Sequence, residues 1–201
     1  MLIYDDTFTD VMTATQHEAT ALGAHVYGSE HVLLGLLATG GLLADAVTAV
    51  TPSLTYGAVL DAVERSADDA PLIGNLGLST VATQVAEAPR PIRTPRNRHT
   101  PELQSALNTA TAGWGQLRKN GSLPKESKLT STVLWLAVLE PAARASRLLQ
   151  ALDIDVDQVR AEVLAAAATP GAPAPEWPTE VRTGPVTRLV QRIFSRSSTA
   201  G

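Results

Sequence analysis

The 201-residue sequence predicts an all-α fold, a pseudo-twofold bundle of two four-helix repeats with about eight helices. Three observations carry this expectation. The hydrophobic fraction is 44% but the aromatic fraction only 4%, so the core must be built mostly of Leu, Val and Ala, which favours helices packed closely on helices. Two segments, Val32 to Ala38 and Val133 to Leu139, are apolar almost all round, as buried central helices are. The helix-opening residues ahead of these segments recur, so the chain reads as an internal repeat.

The first copy, residues 1–66, opens with a helix expected from Asp10 to about Leu22. Thr9 is its candidate N-cap, Asp10 complements the helix dipole, and Gly23 stops it. Val11, Met12, Ala19 and Leu22 share one face. Ser29 is the candidate cap of a second helix with Glu30 in its first turn, and Gly40-Gly41 ends it. A third helix is expected over Leu42 to Val50, a break at Thr51-Pro52, and a fourth helix from about Ser53 to Ser66.

Residues 67–98 read as an inter-repeat linker. Its last part carries Arg90, Arg93, Arg96 and Arg98 with no acid, the pattern of a solvated basic segment. The second copy, 99–168, starts with Thr100 as N-cap and Pro101 at the first helical position, and this helix is expected to reach about Ala112. Ser131 and Thr132 open the second apolar helix. Helices over Ala143 to Leu152 and Val156 to Ala167 complete the copy. Thr9 answers Thr100 at an offset of 91 residues and Ser29 answers Ser131 at 102, so the second copy carries an insertion of 11 residues. Gly113, Gly115, Gly121 and Pro124 place it as a loop at 113–129. The tail, 169–201, is Pro/Ala-rich at first and then basic and amphipathic. Val186, Leu189, Val190, Ile193 and Phe194 fall at helical spacing, with Arg188, Arg192 and Arg196 on another face. Such a segment can dock on its own domain, on a partner or, less readily, on a membrane surface.

Taken in combination, several of these residues match one family. Phe8-Thr9-Asp10 resembles the F-T-D that opens the N-terminal domain of Clp unfoldases, the paired Clp repeat. Gly28-Ser29-Glu30-His31-Val32-Leu33-Leu34-Gly35-Leu36-Leu37 resembles that family's G-T-E-H-(I/L)-L-L-G-L-(I/L) signature. His99-Thr100-Pro101 resembles the second copy's F-T-P, and Ala145 to Asp155 its closing helix and turn. The resemblance covers roughly residues 7 to 165. It implies a pseudo-symmetric eight-helix domain that recruits adaptors and substrates, reads phosphorylated arginine in some members, and is the target of cyclic-peptide antibiotics. It also implies a ligand site at Thr9, Ser29 and Glu30, where a helix N-terminus suits a phosphate and a carboxylate suits a guanidinium. Thr100, Ser131 and Thr132 are the second-copy counterparts, with Thr132 standing where the family has Glu. Val11-Met12-Thr13-Ala14 stand where the family has a basic cluster, and His99 stands for its Phe.

With no cysteine, disulfides, thiolate metal sites and a Cys nucleophile are excluded. No phosphate-cradling G-x-x-x-x-G-K-[ST], no H-E-x-x-H and no G-x-S-x-G occurs, so neither catalysis nor a cofactor or metal is expected. The net charge of −4 argues against nucleic acid. The N-terminus lacks a basic start and an apolar run, so no secretory signal is expected, and a cytoplasmic location fits. The functional expectation is a recognition module for a protein or peptide. It would act as decoy, adaptor or sequestering protein for phosphoarginine proteins or Clp-targeting cyclic peptides. The alternative is a docking subunit that holds a Clp ring or protease component through the tail helix or the inserted loop.

Overall fold

A computed structural model describes residues 3–67, 98–123, 128–168 and 175–178. The linker core (68–97) and the amphipathic tail segment (185–196) lie outside the described residues. Among the described residues the chain forms eight helices and one two-stranded pairing. The order is β1 (Ile3–Tyr4), α1 (Asp6–Ala21), α2 (Ser29–Thr39), α3 (Leu42–Val50), α4 (Tyr56–Ala67), α5 (Pro101–Lys119), β2 (Lys128–Leu129), α6 (Ser131–Val138), α7 (Arg144–Ala151) and α8 (Val156–Ala167). The fold is an all-α bundle, and the helices fall into two sets of four.

The two apolar helices sit at the centre and touch each other. Val32, Leu33 and Leu34 in α2 and Leu134, Leu136, Ala137 and Val138 in α6 are fully buried. α1 lies so close on α2 that a Cβ at Gly35 would fall 2.6 Å from Thr15 Oγ1 and 2.9 Å from the Val11 carbonyl oxygen. Glycine at 35 is therefore a packing requirement between two backbones.

The halves are laced together ahead of their helices. β1, entering α1, pairs in parallel with β2, entering α6. Tyr27, entering α2, bridges in parallel to His99, entering α5. Each half's first helix thus starts beside the other half's second helix.

Three local expectations are corrected. α1 begins at Asp6, capped by Asp5, whose carboxylate accepts from the Phe8 N–H at 2.9 Å. Asp is as good a cap as Thr, and the earlier start buries Phe8 with Val11. Thr9 is therefore inside the helix, exposed, its hydroxyl donating to the Asp5 carbonyl at 3.1 Å. The cap of α2 is Gly28 rather than Ser29. His31 Nδ1 accepts the Gly28 N–H at 3.1 Å, filling the place that Glu or Gln takes in a capping box. α5 continues past Ala112 to Lys119, because Trp114 and Leu117 keep up its buried face and Arg118 stacks on the Trp114 ring at 4.5 Å. The first part of the expected 113–129 loop is thus helical. Smaller differences fall at α4, which starts at Tyr56, with Thr55 Oγ1 accepting from the Ala58 N–H.

Candidate functional site

The lacing creates two junctions where helix starts meet across the halves. In the first, Glu102 in the opening turn of α5 is the hub. Its Oε1 accepts from the Ser29 hydroxyl at 2.8 Å and from the Arg144 N–H, at the start of α7, at 2.8 Å. Its Oε2 accepts from the Thr100 hydroxyl at 3.2 Å. Ser29 Oγ in turn accepts the Ala145 N–H at 3.0 Å. A carboxylate at two helix starts satisfies orphan N–H groups and suits both dipoles. Ser29 and Thr100 are thus brought together, but both are consumed by internal bonds. Glu102 escaped the sequence reading because a Glu behind an N-cap Thr is what any helix start shows.

Glu30 sits beside this hub and is differently placed. It is 6% exposed. Its Oε1 lies 3.3 Å from Arg144 Nη1, while Oε2 is buried with no hydrogen-bond partner among the described residues. The carboxylate folds over Gly28, where a Cβ would come within 2.4 Å of Oε2. His31 Nδ1 is 3.5 Å from Glu30 Oε1, yet that nitrogen is an acceptor from Gly28, so it has no proton to give. Burial holds the His31 pKa below its ordinary value, overriding the pull of Glu30. His31 is a neutral capping residue.

Glu30 lines a cavity of about 560 Å³ between α4 and α7, together with Arg65, Ser66, Arg144, Arg147 and Leu148. Three arginines and one carboxylate line it. Arg144 is paired with Glu30, and Arg65 Nε donates to the Asp61 carbonyl. The lining therefore carries cations in excess over acids, three arginines against the one carboxylate of Glu30. The sequence reading missed Arg65, Arg144 and Arg147, since three arginines on two exposed helix faces look like ordinary solvated charge.

The second junction is of opposite character. The Ser131 N–H donates to Thr7 Oγ1 at 3.1 Å, and the Thr7 hydroxyl donates to Asp5 at 2.8 Å. A cavity of about 510 Å³ beside it is lined by Asp5, Thr7, Asp10, Trp114, Ser131 and Thr132, with no basic side chain among its lining residues. Thr132 is buried, and Thr7 rather than Thr9 is the helix-start hydroxyl at this place. Thr9 lines neither cavity, so it does not join Ser29 and Glu30 in one site.

No cluster of metal-ligating residues occurs among the described residues, and none of their helices is by itself long and apolar enough to cross a membrane. No family model matches the chain, and no curated protein does either.

Proposed function

We propose that this chain is a non-catalytic recognition module for a protein or peptide, of the kind Clp unfoldases carry at their N-terminus, and that its ligand enters the α4–α7 cavity. The observation that supports this reading most is the cavity lined by Glu30 and three arginines, with one oxygen of the Glu30 carboxylate buried and without a partner among the described residues. A buried acceptor without a donor costs about 1–3 kcal/mol, a cost that a ligand donor would recover. The excess of guanidiniums beside it favours a ligand that is also anionic.

A phosphorylated arginine side chain offers both groups. Its guanidinium N–H can donate to the Glu30 carboxylate, and its phosphate can pair with Arg65 and Arg147. In that role the protein serves as decoy, adaptor or sequestering protein for tagged chains. The reading needs no turnover, no cofactor and no metal. It also shifts the ligand-contacting set from Thr9, Ser29 and Glu30 to Glu30 with the arginines, because Ser29 is already bonded twice.

Calorimetric titration with a phosphoarginine peptide tests it. Glu30→Gln keeps the shape and removes the charge. A charge-assisted hydrogen bond is worth about 1.5–3 kcal/mol, so the affinity should fall by roughly tenfold to a hundredfold. Equal affinity of wild type and variant, or no binding to either, rejects the reading. Deleting residues 185–196 should leave the affinity unchanged; loss of partner capture on that deletion alone would favour the docking-subunit alternative.

A further inference from the structure

The cavity of about 510 Å³ at the second junction carries features that joining two helix starts does not use. Asp5 and Asp10 line it together with Leu42, Leu43 and Trp114, and no basic side chain does. Leu42 lines the cavity while staying 89% exposed, far beyond any other large apolar side chain among the described residues. It therefore stands at the mouth, uncovered by those residues. Asp10 is exposed and has no ion-pair partner among the described residues. The mouth thus presents both an apolar side chain and an unpaired carboxylate.

The chain itself returns to this side of the molecule. Ala167, the last residue of α8, lines the same cavity. Trp177 then packs on α5, where a Cβ at Gly113 would fall 2.4 Å from its Cη2. Gly113 adjoins Trp114, the aromatic wall of the cavity. From Val181 to Gly201 the sequence holds four arginines, Arg182, Arg188, Arg192 and Arg196, and no acid. Within that stretch Val186, Leu189, Val190 and Ile193 fall at the i, i+3, i+4, i+7 spacing by which an amphipathic helix seats in a groove. The step from Pro178 to Pro185 spans up to about 25 Å when extended, enough to carry the segment to the cavity mouth.

We propose that the chain's own segment 185–196 docks as an amphipathic helix across the mouth of this acidic cavity. Its apolar face covers Leu42 and Leu43, and its arginines pair with Asp10 and Asp5. Charge selects this cavity over the other, because the α4–α7 cavity is lined by three arginines and repels a basic segment. Exposed ion pairs add little affinity by themselves, so apolar contact holds the segment and charge chooses its seat. The tether supplies an effective concentration on the order of millimolar, so an intrinsically weak contact suffices. An outside partner of the tail, protein or membrane, must first displace it. The proposal does not rest on the reading given to the Glu30 cavity.

The chain has no cysteine, so full-length Ser198→Cys takes a nitroxide at one place, just beyond the segment. Paramagnetic broadening of backbone amide resonances then maps where the segment sits. Broadening should centre on Asp10, residues 39–43 and Ser131, and spare Arg65 and Arg147. Ile193→Asp, which lies in the tail, should reduce it at least several-fold. Leu42→Ser should weaken it as well, and a side chain 89% exposed gives up little of the core. Asp10→Lys should weaken it through charge alone. No broadening of the bundle, a centre elsewhere, or indifference to Ile193→Asp, Leu42→Ser or Asp10→Lys overturns the proposal. Equal broadening of isotope-labelled protein by separately spin-labelled, unenriched protein would assign the contact to a second copy and overturn it too.

Discussion

Glu30 and Glu102 show how differently two first-turn carboxylates can be used. Glu102 gives both oxygens to internal donors and closes the first junction, whereas Glu30 keeps one buried oxygen unmatched. Sequence alone marked Glu30 as the candidate and could not distinguish the two, because the partners of each come from α2, α5 and α7, far apart in the chain. The same limit applied to Thr9 and Ser29. A hydroxyl residue near a helix start is legible as a cap, but which of several adjacent polar residues takes the cap depends on the chain entering from the other half. His31 has a consequence for acid stability. Burial, opposed by Glu30 and Glu18 and reinforced by Arg144, lowers its pKa from the ordinary 6.5. A native pKa below the unfolded one means that the unfolded chain takes up the proton more readily. The stability held at neutral pH is then lost as pH falls through 6.5 towards the native value. His31→Gln retains an acceptor for the Gly28 N–H and does not titrate. Its melting temperature should fall less steeply below pH 6.5 than that of wild type, as thermal melts across pH 5–7.5 would show; parallel slopes would remove His31 from the acid limb.

At the scale of elements, helices with strong apolar faces were legible nearly to their ends. α3 and α8 run as expected, and Thr100 with Pro101 opens α5. Two errors had physical causes. The strand pairing of β1 sets Asp5 as the start of α1, and no periodicity announces a two-residue strand. α5 passed through Gly113 and Gly115 because the burial of Trp114 and Leu117 outweighs the helix cost of glycine. Gly35 permits the close approach of α1 to α2, which the sequence showed only as a glycine inside an apolar helix. Gly35→Ala gains helix propensity yet must push α1 off α2. Overpacking of this kind costs about 1–3 kcal/mol, so chemical denaturation should show a lower midpoint. An unchanged or raised midpoint would mean that α1 shifts freely.

At the scale of the molecule, the all-α class was the most legible feature, and the two all-apolar helices behind it, α2 and α6, are buried and touch each other. Leu34 of α2 and Leu136 of α6 are both fully buried. Leu34→Asp or Leu136→Asp places a carboxylate with no partner in the core and should abolish the cooperative far-ultraviolet circular dichroism melt at neutral pH. A native-like melt in either variant would deny that α2 and α6 form the centre. What the sequence did not reveal is that helix starts distant in the chain meet at two junctions. The cavities beside them differ in charge, arginine-rich around Glu30 and acidic around Asp5 and Asp10. A ligand that is both anionic and a donor should therefore choose one junction. Titrating phosphoarginine into isotope-labelled protein while following backbone amide shifts tests this most directly. The account predicts saturable shifts centred on Glu30, Arg65, Arg144 and Arg147 that need roughly tenfold to a hundredfold more ligand in Glu30→Gln. Shifts centred on Thr7, Ser131 and Thr132, or no shifts at all, would contradict it.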